Sequence, residues 1–469
     1  MIWINPTELI SAERLDVFAR TDFARRRIAG QSDSWSRSLY REFLLASGVG
    51  KEIENGTKSS MQDYFRSFEL VIDSIESNGF DARLGAIPVR NGVLANGAHR
   101  FAVTLVTNQQ IFISETSEPT GIYDYRFMKT MGVSPVFIDA MAMSLIQATA
   151  AVRAIVIFGE APSVVDLIEM EIRKTAGIII RKRIGLTAIG TRRIVEVAYG
   201  HNDWWDQTEL LEKMTAERFH DCPSHCDVIF TLESDLNSLQ DRKERLRTLL
   251  PDQKFERKLH GSDYYFDSVY LAECVLNANS LRFLNFAPIG GERRILEMLG
   301  GPNPQLKPWS TEQDWCIDGS SVLELFGLRR ANDIDFLSVE GSRVPKNIQK
   351  LGNNHNEAYS RGQINPFEII NDPRNHLIYK GLKFISPSAL LLNKFGENDP
   401  KSVSDVQLIV STTAGDPGLY GSLDLQVIGL LSRWGYQVIS LTDRALRCLP
   451  RKIEMPIRSF VARFRRNLN

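Results

Sequence analysis

Asp333 and Asp335 stand two residues apart in RANDIDFLS, residues 330–338. On a strand, residues i and i+2 share a face, so the two carboxylates would sit side by side. Side by side they repel each other, and a cation between them relieves the repulsion. Just upstream, Gly319-Ser320 precedes Val322, Leu325 and Phe326 at i, i+3 and i+4, the spacing of a short helix with one core face. Free N–H groups at such a helix start suit a phosphate; glycine allows close backbone approach and serine adds a hydroxyl donor. Mg²⁺ (or Mn²⁺) takes hard carboxylate oxygens while bridging to substrate phosphates. A phosphate cradle followed by a carboxylate pair therefore implies phosphoryl or nucleotidyl transfer from a nucleoside triphosphate, driven by positioning and metal charge. The bland alternative is a strand edge solvated by two aspartates.

Three other groupings carry chemistry. In NGVLANGAHRFAVTLVT, residues 91–107, the Asn96-Gly97 turn leads to His99 and Arg100 at the start of an apolar helix, a place for an anion. KLHGSDYYFDS sets His260 in a turn ahead of a helix, either as a nucleophile or as a structural imidazole beside the helix-capping Ser262 and Asp263. HDCPSHC offers His220, Cys222, His225 and Cys226, which crowd too closely for one tetrahedral zinc site, normally built from two separated pairs.

The elements that must hold these residues alternate along the chain. With 469 residues, 43% hydrophobic and 24% charged, the chain is long enough for several folded domains. Residues 1–65 read as a helical N-terminal segment. Residues 66–145 alternate helix and strand, with strands GAIPVR and QQIFIS. Residues 150–290 run β-α-β and then α-β-α, an α+β sandwich. Residues 290–310 connect it to a unit at 311–412 that carries the aspartate pair, and 413–469 form a C-terminal segment. The fold class expected is multidomain, α/β and α+β.

Two blocks of the 311–412 unit, DGSSVLELFGLRRANDIDFL and GLKFISPSALLLNKFGENDPKSVSDVQLI, resemble the nucleotidyltransferase superfamily of the DNA polymerase β type. The resemblance implies Gly319 and Ser320 at the triphosphate, Asp333 and Asp335 as catalytic metal ligands, and Lys394 neutralising charge, with Lys401 and Asp405 in the tail of the second block. It also implies a third catalytic carboxylate on a later strand, Glu368 or Asp372 of FEIINDP. The ANGAHR turn resembles the ParB/sulfiredoxin fold, which would place nucleotide phosphate at Gly97, His99 and Arg100. KLHGSD, after the charged helix DRKERLRTLL, is similar to the nucleoside diphosphate kinase block on a ferredoxin-like sandwich, with His260 as the phosphate carrier; Arg257 stands where those kinases have Asn.

The bulk numbers narrow the setting. Net charge is −1, so no general attraction to nucleic acid or membrane is expected, and no DNA partner. No run is long and apolar enough to span a bilayer, no secretory signal opens the chain, and five cysteines without such a signal read as reduced cytoplasmic thiols. Residues 443–469 differ: eight Lys and Arg against two acidic residues, interleaved with apolar side chains, make a basic amphipathic helix suited to the inner face of an anionic membrane. The expected function is thus a metal-dependent nucleotidyl- or phosphotransferase acting on a small molecule, such as a sugar or polyol phosphate of a bacterial surface polysaccharide. The alternatives are a toxin-like or regulatory nucleotidyltransferase modifying a protein or tRNA, and a non-catalytic nucleotide-binding scaffold.

Overall fold

The computed structural model describes residues 1–31, 34–48, 60–199, 208–219, 225–236, 239–250, 258–299, 314–339, 341–342, 344–361, 365–395 and 400–413. Its architecture is mixed α and β, with helices on small sheets, as a multidomain α+β chain requires. The contacts divide its described residues into two compact units: residues 1–289 with 371–383, and residues 290–299 with 314–370 and 384–413. The basic segment 443–469, Trp204 and Trp205, and His220 and Cys222 lie outside the described residues.

In the first unit, strands β1 (Ile2–Ile4), β2 (Ile87–Arg90), β3 (Val93–Leu94) and β4 (Ile111–Glu115) form a sheet in the order β1-β4-β2-β3. The N-terminal residues are therefore part of this sheet, through Ile2 opposite Ile113 and Ile4 opposite Ile111. Buried Asp16 fixes the neighbouring chain: it binds Arg14 Nε at 2.8 Å and Arg20 Nη1 at 2.6 Å, and Arg14 Nη1 donates to the Leu94 carbonyl. The helix Met61–Asn78 starts on a reciprocal Ser60–Asp63 cap and ends at Gly79 with φ 75°, where a side chain would strain the backbone.

A second sheet of the same unit holds β5 (Val152–Phe158), β6 (Ala176–Gly185), β7 (His225–Glu233) and β8 (Leu259–Gly261) in the order β6-β7-β5-β8, every pair antiparallel. Every residue of the interior strand β5 is buried, which explains why AIVIF, after Arg153, is a continuous apolar run rather than an alternating one. Salt bridges hold one helix to this sheet: Glu169 of Pro162–Ile172 meets Arg181 of β6 at 3.0 Å. The strand β11 (His376–Tyr379) is tied to the helix Ala278–Phe286 by Ile378 N–H donating to Ser280 Oγ at 2.8 Å.

The second unit is built on β9 (Trp315–Ile317), which pairs antiparallel with β10 (Phe336–Ser338) and parallel with β12 (Leu382–Ile385) at Phe384. Between β9 and β10 runs the short helix Ser320–Leu325; Val322, Leu325 and the adjoining Phe326 are all buried, the face their spacing predicts. Two local expectations change. Strand pairing begins at Phe336, so Asp333 and Asp335 lie in the entry to the strand and not within it. FEIIN is helical, Pro366–Asn371, so neither Glu368 nor Asp372 is carried on a strand.

Candidate functional site

The second unit brings the two halves of the Gly-Ser…Asp-x-Asp pattern together. Asp318 N–H donates to the Asp335 carbonyl at 2.8 Å, so the end of β9 and the entry to β10 are paired. Gly319 follows with φ 66°, a conformation that suits glycine, and a Cβ there would lie 3.2 Å from Asp335 Oδ2. Ser321 Oγ donates to the Asp333 carbonyl at 3.0 Å, closing the loop between helix and aspartates.

Three residues outside the predicted set complete the cluster. Asp318, almost fully buried, accepts from Tyr359 Oη at 2.6 Å, and its other oxygen lies 3.0 Å from His355 Nδ1. His355 Nε2 lies 3.3 Å from Asp335 Oδ2, so the imidazole bridges two carboxylates. The hydrogen bond to Asp318 raises the His355 pKa above its ordinary 6.5, with the nearby Lys394 charge opposing it. Burial raises the Asp335 pKa above 3.8; Asn353 N–H, donating at 3.1 Å, pulls it back, and the charges of Asp333 and Asp318 push it up.

The segment 351–355 supplies His355 because it runs beside the aspartates. Ile334 N–H donates to Leu351 O at 2.9 Å and His355 N–H to Phe336 O at 2.9 Å. Gly352 makes that approach possible: a Cβ would sit 2.1 Å from the Ile334 carbonyl oxygen. The second block is joined on as well. Arg329 grips Asp405 with Nε at 2.6 Å and Nη2 at 2.9 Å, a two-point contact between the aspartate loop and the helix Pro400–Thr413. Lys394 Nζ lies 3.3 Å from Ser402 Oγ.

The groups left open to a ligand are few. Among the described residues, the Asp333 carboxylate and the Ser320 hydroxyl make no side-chain hydrogen bond or ion pair. Asp335 keeps one oxygen on Asn353 and the other near His355. No three His, Cys, Asp or Glu side chains among the described residues form a ready cage for a metal ion. Asp333 and Asp335 instead offer two hard carboxylates, a donor set that suits Mg²⁺ when phosphates and water supply its remaining ligands.

Apart from Glu368, the other candidate residues below lie in the first unit. His99 Nε2 is 2.7 Å from Tyr40 Oη, and its ring packs 4.5 Å from Phe68. Arg100 Nη1 donates to the Gly85 carbonyl at 2.6 Å, and Gly97, with φ 80°, packs against Ile87. His260, on β8, packs its ring 4.2 Å from Tyr199; Nε2 has no hydrogen-bond partner among the described residues, and burial drives its pKa down to about 3. Asp372 is held by Arg374, Nε lying 2.9 and 3.0 Å from its two oxygens. Glu368 is half-buried on the helix Pro366–Asn371 of the second unit. His225 Nε2 lies 3.0 Å from the Glu160 carbonyl, and the Cys226 thiol is buried, which raises its pKa. No described helix is long and apolar enough to cross a membrane.

Compared with known proteins, the chain matches no family model, no curated protein and no solved structure.

Proposed function

We propose that the second unit is a metal-dependent nucleotidyl- or phosphotransferase acting on a small molecule. The observation that carries this reading is the approach of Asp335 to the Gly319 turn, which joins the phosphate-cradle half of the pattern to its carboxylate half. In this reading Gly319 and Ser320 receive the triphosphate. Asp333 and Asp335 hold the divalent ion, which would neutralise phosphate charge during transfer. Asp318 acts by orienting His355 next to Asp335. Lys394, whose charge is felt at His355, adds positive charge to the same region.

In the first unit the β6-β7-β5-β8 order, with helices after β5, β6 and β7, favours the ferredoxin-like reading. His99 and Arg100 are engaged within the unit, so nucleotide binding is assigned to the second unit and not to the ParB-like turn. A sugar or polyol phosphate of a surface polysaccharide is the proposed acceptor, in a cytoplasmic setting with membrane contact through residues 443–469.

The test is turnover of labelled nucleoside triphosphates by the purified chain with Mg²⁺ or Mn²⁺, against Asp333→Ala/Asp335→Ala. The reading expects metal-dependent release or transfer that falls by about a hundredfold or more in the double variant. Unchanged turnover overturns it. Label arriving on protein or tRNA selects the regulatory or toxin-like alternative, and nucleotide binding without turnover selects the scaffold.

A further inference from the structure

A recess of about 70 Å³ opens in the first unit between the helices Asp16–Ile28 and Pro135–Ala148 and the segment that carries β11. It has room for several waters, or for a molecule of about the size of glycine. Trp35, stacked on Phe137 with ring centres 5.1 Å apart, forms a rigid wall.

The polar lining is mismatched in a specific way. Asp22 and Arg25 both line the recess from one helix, three residues apart and so on one face. They do not pair with each other. Neither side chain has a hydrogen bond or ion pair among the described residues, and Asp22 Oδ2 is buried without a partner. Ser144 Oγ, on the opposite helix, is likewise buried without a partner. Elsewhere in this unit buried charges are matched closely, as Asp16 is by Arg14 and Arg20. A buried carboxylate oxygen and a hydroxyl left unmatched are costly unless something supplies their hydrogen bonds.

We infer that the recess binds a small zwitterion of the α-amino acid type, its carboxylate on Arg25 and its ammonium on Asp22, with Ser144 as a third contact. A simple anion would answer Arg25 and leave Asp22 unmatched; a simple amine would do the reverse. Arg26 and Lys383 also line the recess. None of these residues takes part in the nucleotide chemistry of the second unit, so this inference stands apart from that reading.

The experiment is calorimetry and thermal-shift titration of the full chain with glycine, L-alanine and the remaining α-amino acids, and with acetate, methylammonium and inorganic phosphate as single-charge probes. At least one amino acid is expected to bind about tenfold or more tightly than acetate or methylammonium. Arg25→Gln and Asp22→Asn should each weaken that binding about tenfold or more, while Arg27→Gln, on the exposed Asp73 pair, leaves it unchanged. Asp22→Asn also removes an unmatched charge, so its unliganded Tm should stay level or rise, which separates lost binding from lost folding. No binding by any amino acid at about 10 mM overturns the inference. Equal affinity for acetate or phosphate also overturns it, since that describes an anion site.

Discussion

His260 gives the sharpest stability prediction. It lies on β8 opposite Val156, with its ring against Tyr199 and Nε2 unpartnered. Burial is the main cause of its low pKa of about 3; the charges of Lys243, Arg218 and Arg247 add to it, and Asp263 opposes them. An exposed histidine in the unfolded chain titrates near 6.5. Its folded pKa is depressed, so its contribution is fully present above 6.5 and is lost as pH falls toward 3. Each pH unit in that window costs about 1.4 kcal/mol, or about 5 kcal/mol once titration is complete. His260→Phe keeps the aromatic contact and removes the proton site. Urea unfolding of both full chains at about pH 7.5 and about pH 4.5 should show wild type losing about 2–3 kcal/mol more than the variant. Carboxylates that titrate in the same range are common to both proteins and cancel. If both lose the same stability, or if the His260 resonance titrates near 6.5 by NMR, the burial argument is wrong.

Glu169 should shape the acid limb. Burial opposes its charge, but hydrogen bonds from Arg181, Arg173, Tyr125 and Arg126 hold its pKa at about 2. That stabilisation is present above 4.5 and is lost as pH falls toward 2, so Glu169→Gln should cost about 3 kcal/mol at neutral pH and flatten the acid denaturation curve. Gly352→Ala should cost at least about 2 kcal/mol and abolish the proposed nucleotide turnover, because its Cβ would force the His355 segment off Ile334. Circular dichroism melts together with the turnover assay check this; a variant with normal activity would mean the segment does not position the site.

Much of this architecture is legible before any coordinates. The core face of Ser320–Leu325 follows from three apolar residues at helical spacing, and β5 from the apolar run AIVIF that follows Arg153. The contact of Arg329 with Asp405 is another matter. The two lie 76 positions apart, and only the folded chain brings them together. His355 and Tyr359 fall in NNHNEAYSR, a polar stretch without hydrophobic period, so nothing local marks them as site residues. Asp318 had a signal, its place directly before the Gly-Ser turn. It was obscured because a lone aspartate ahead of a turn more often caps than reacts. The contribution of β1 to the sheet with β4 was hidden for a different reason: a three-residue strand is too short to show a period.

The charge balance of the cluster argues for how a nucleotide would have to enter it. Asp318, Asp333 and Asp335 put three carboxylates around the Gly319 turn, against one imidazole held by Asp318, the Lys394 ammonium, and the Arg329 guanidinium, which is shared between Asp333 and its two-point contact with Asp405. His355 is drawn toward protonation by Asp318, so it offsets part of this negative charge but is already engaged by two carboxylates. A bare triphosphate carries several negative charges of its own and would be repelled at close range. The Asp333 carboxylate, which feels the Arg329 charge but makes no side-chain hydrogen bond or close ion pair among the described residues, remains an acceptor for a cation. Nucleotide arriving together with its divalent ion would satisfy both sides, whereas nucleotide alone would not. Affinity in the proposed mechanism should therefore depend on the metal at the binding step itself. Asp333→Asn should weaken the metal-dependent part of binding while leaving the fold, which rests on the contacts of Asp318 and Asp335, in place.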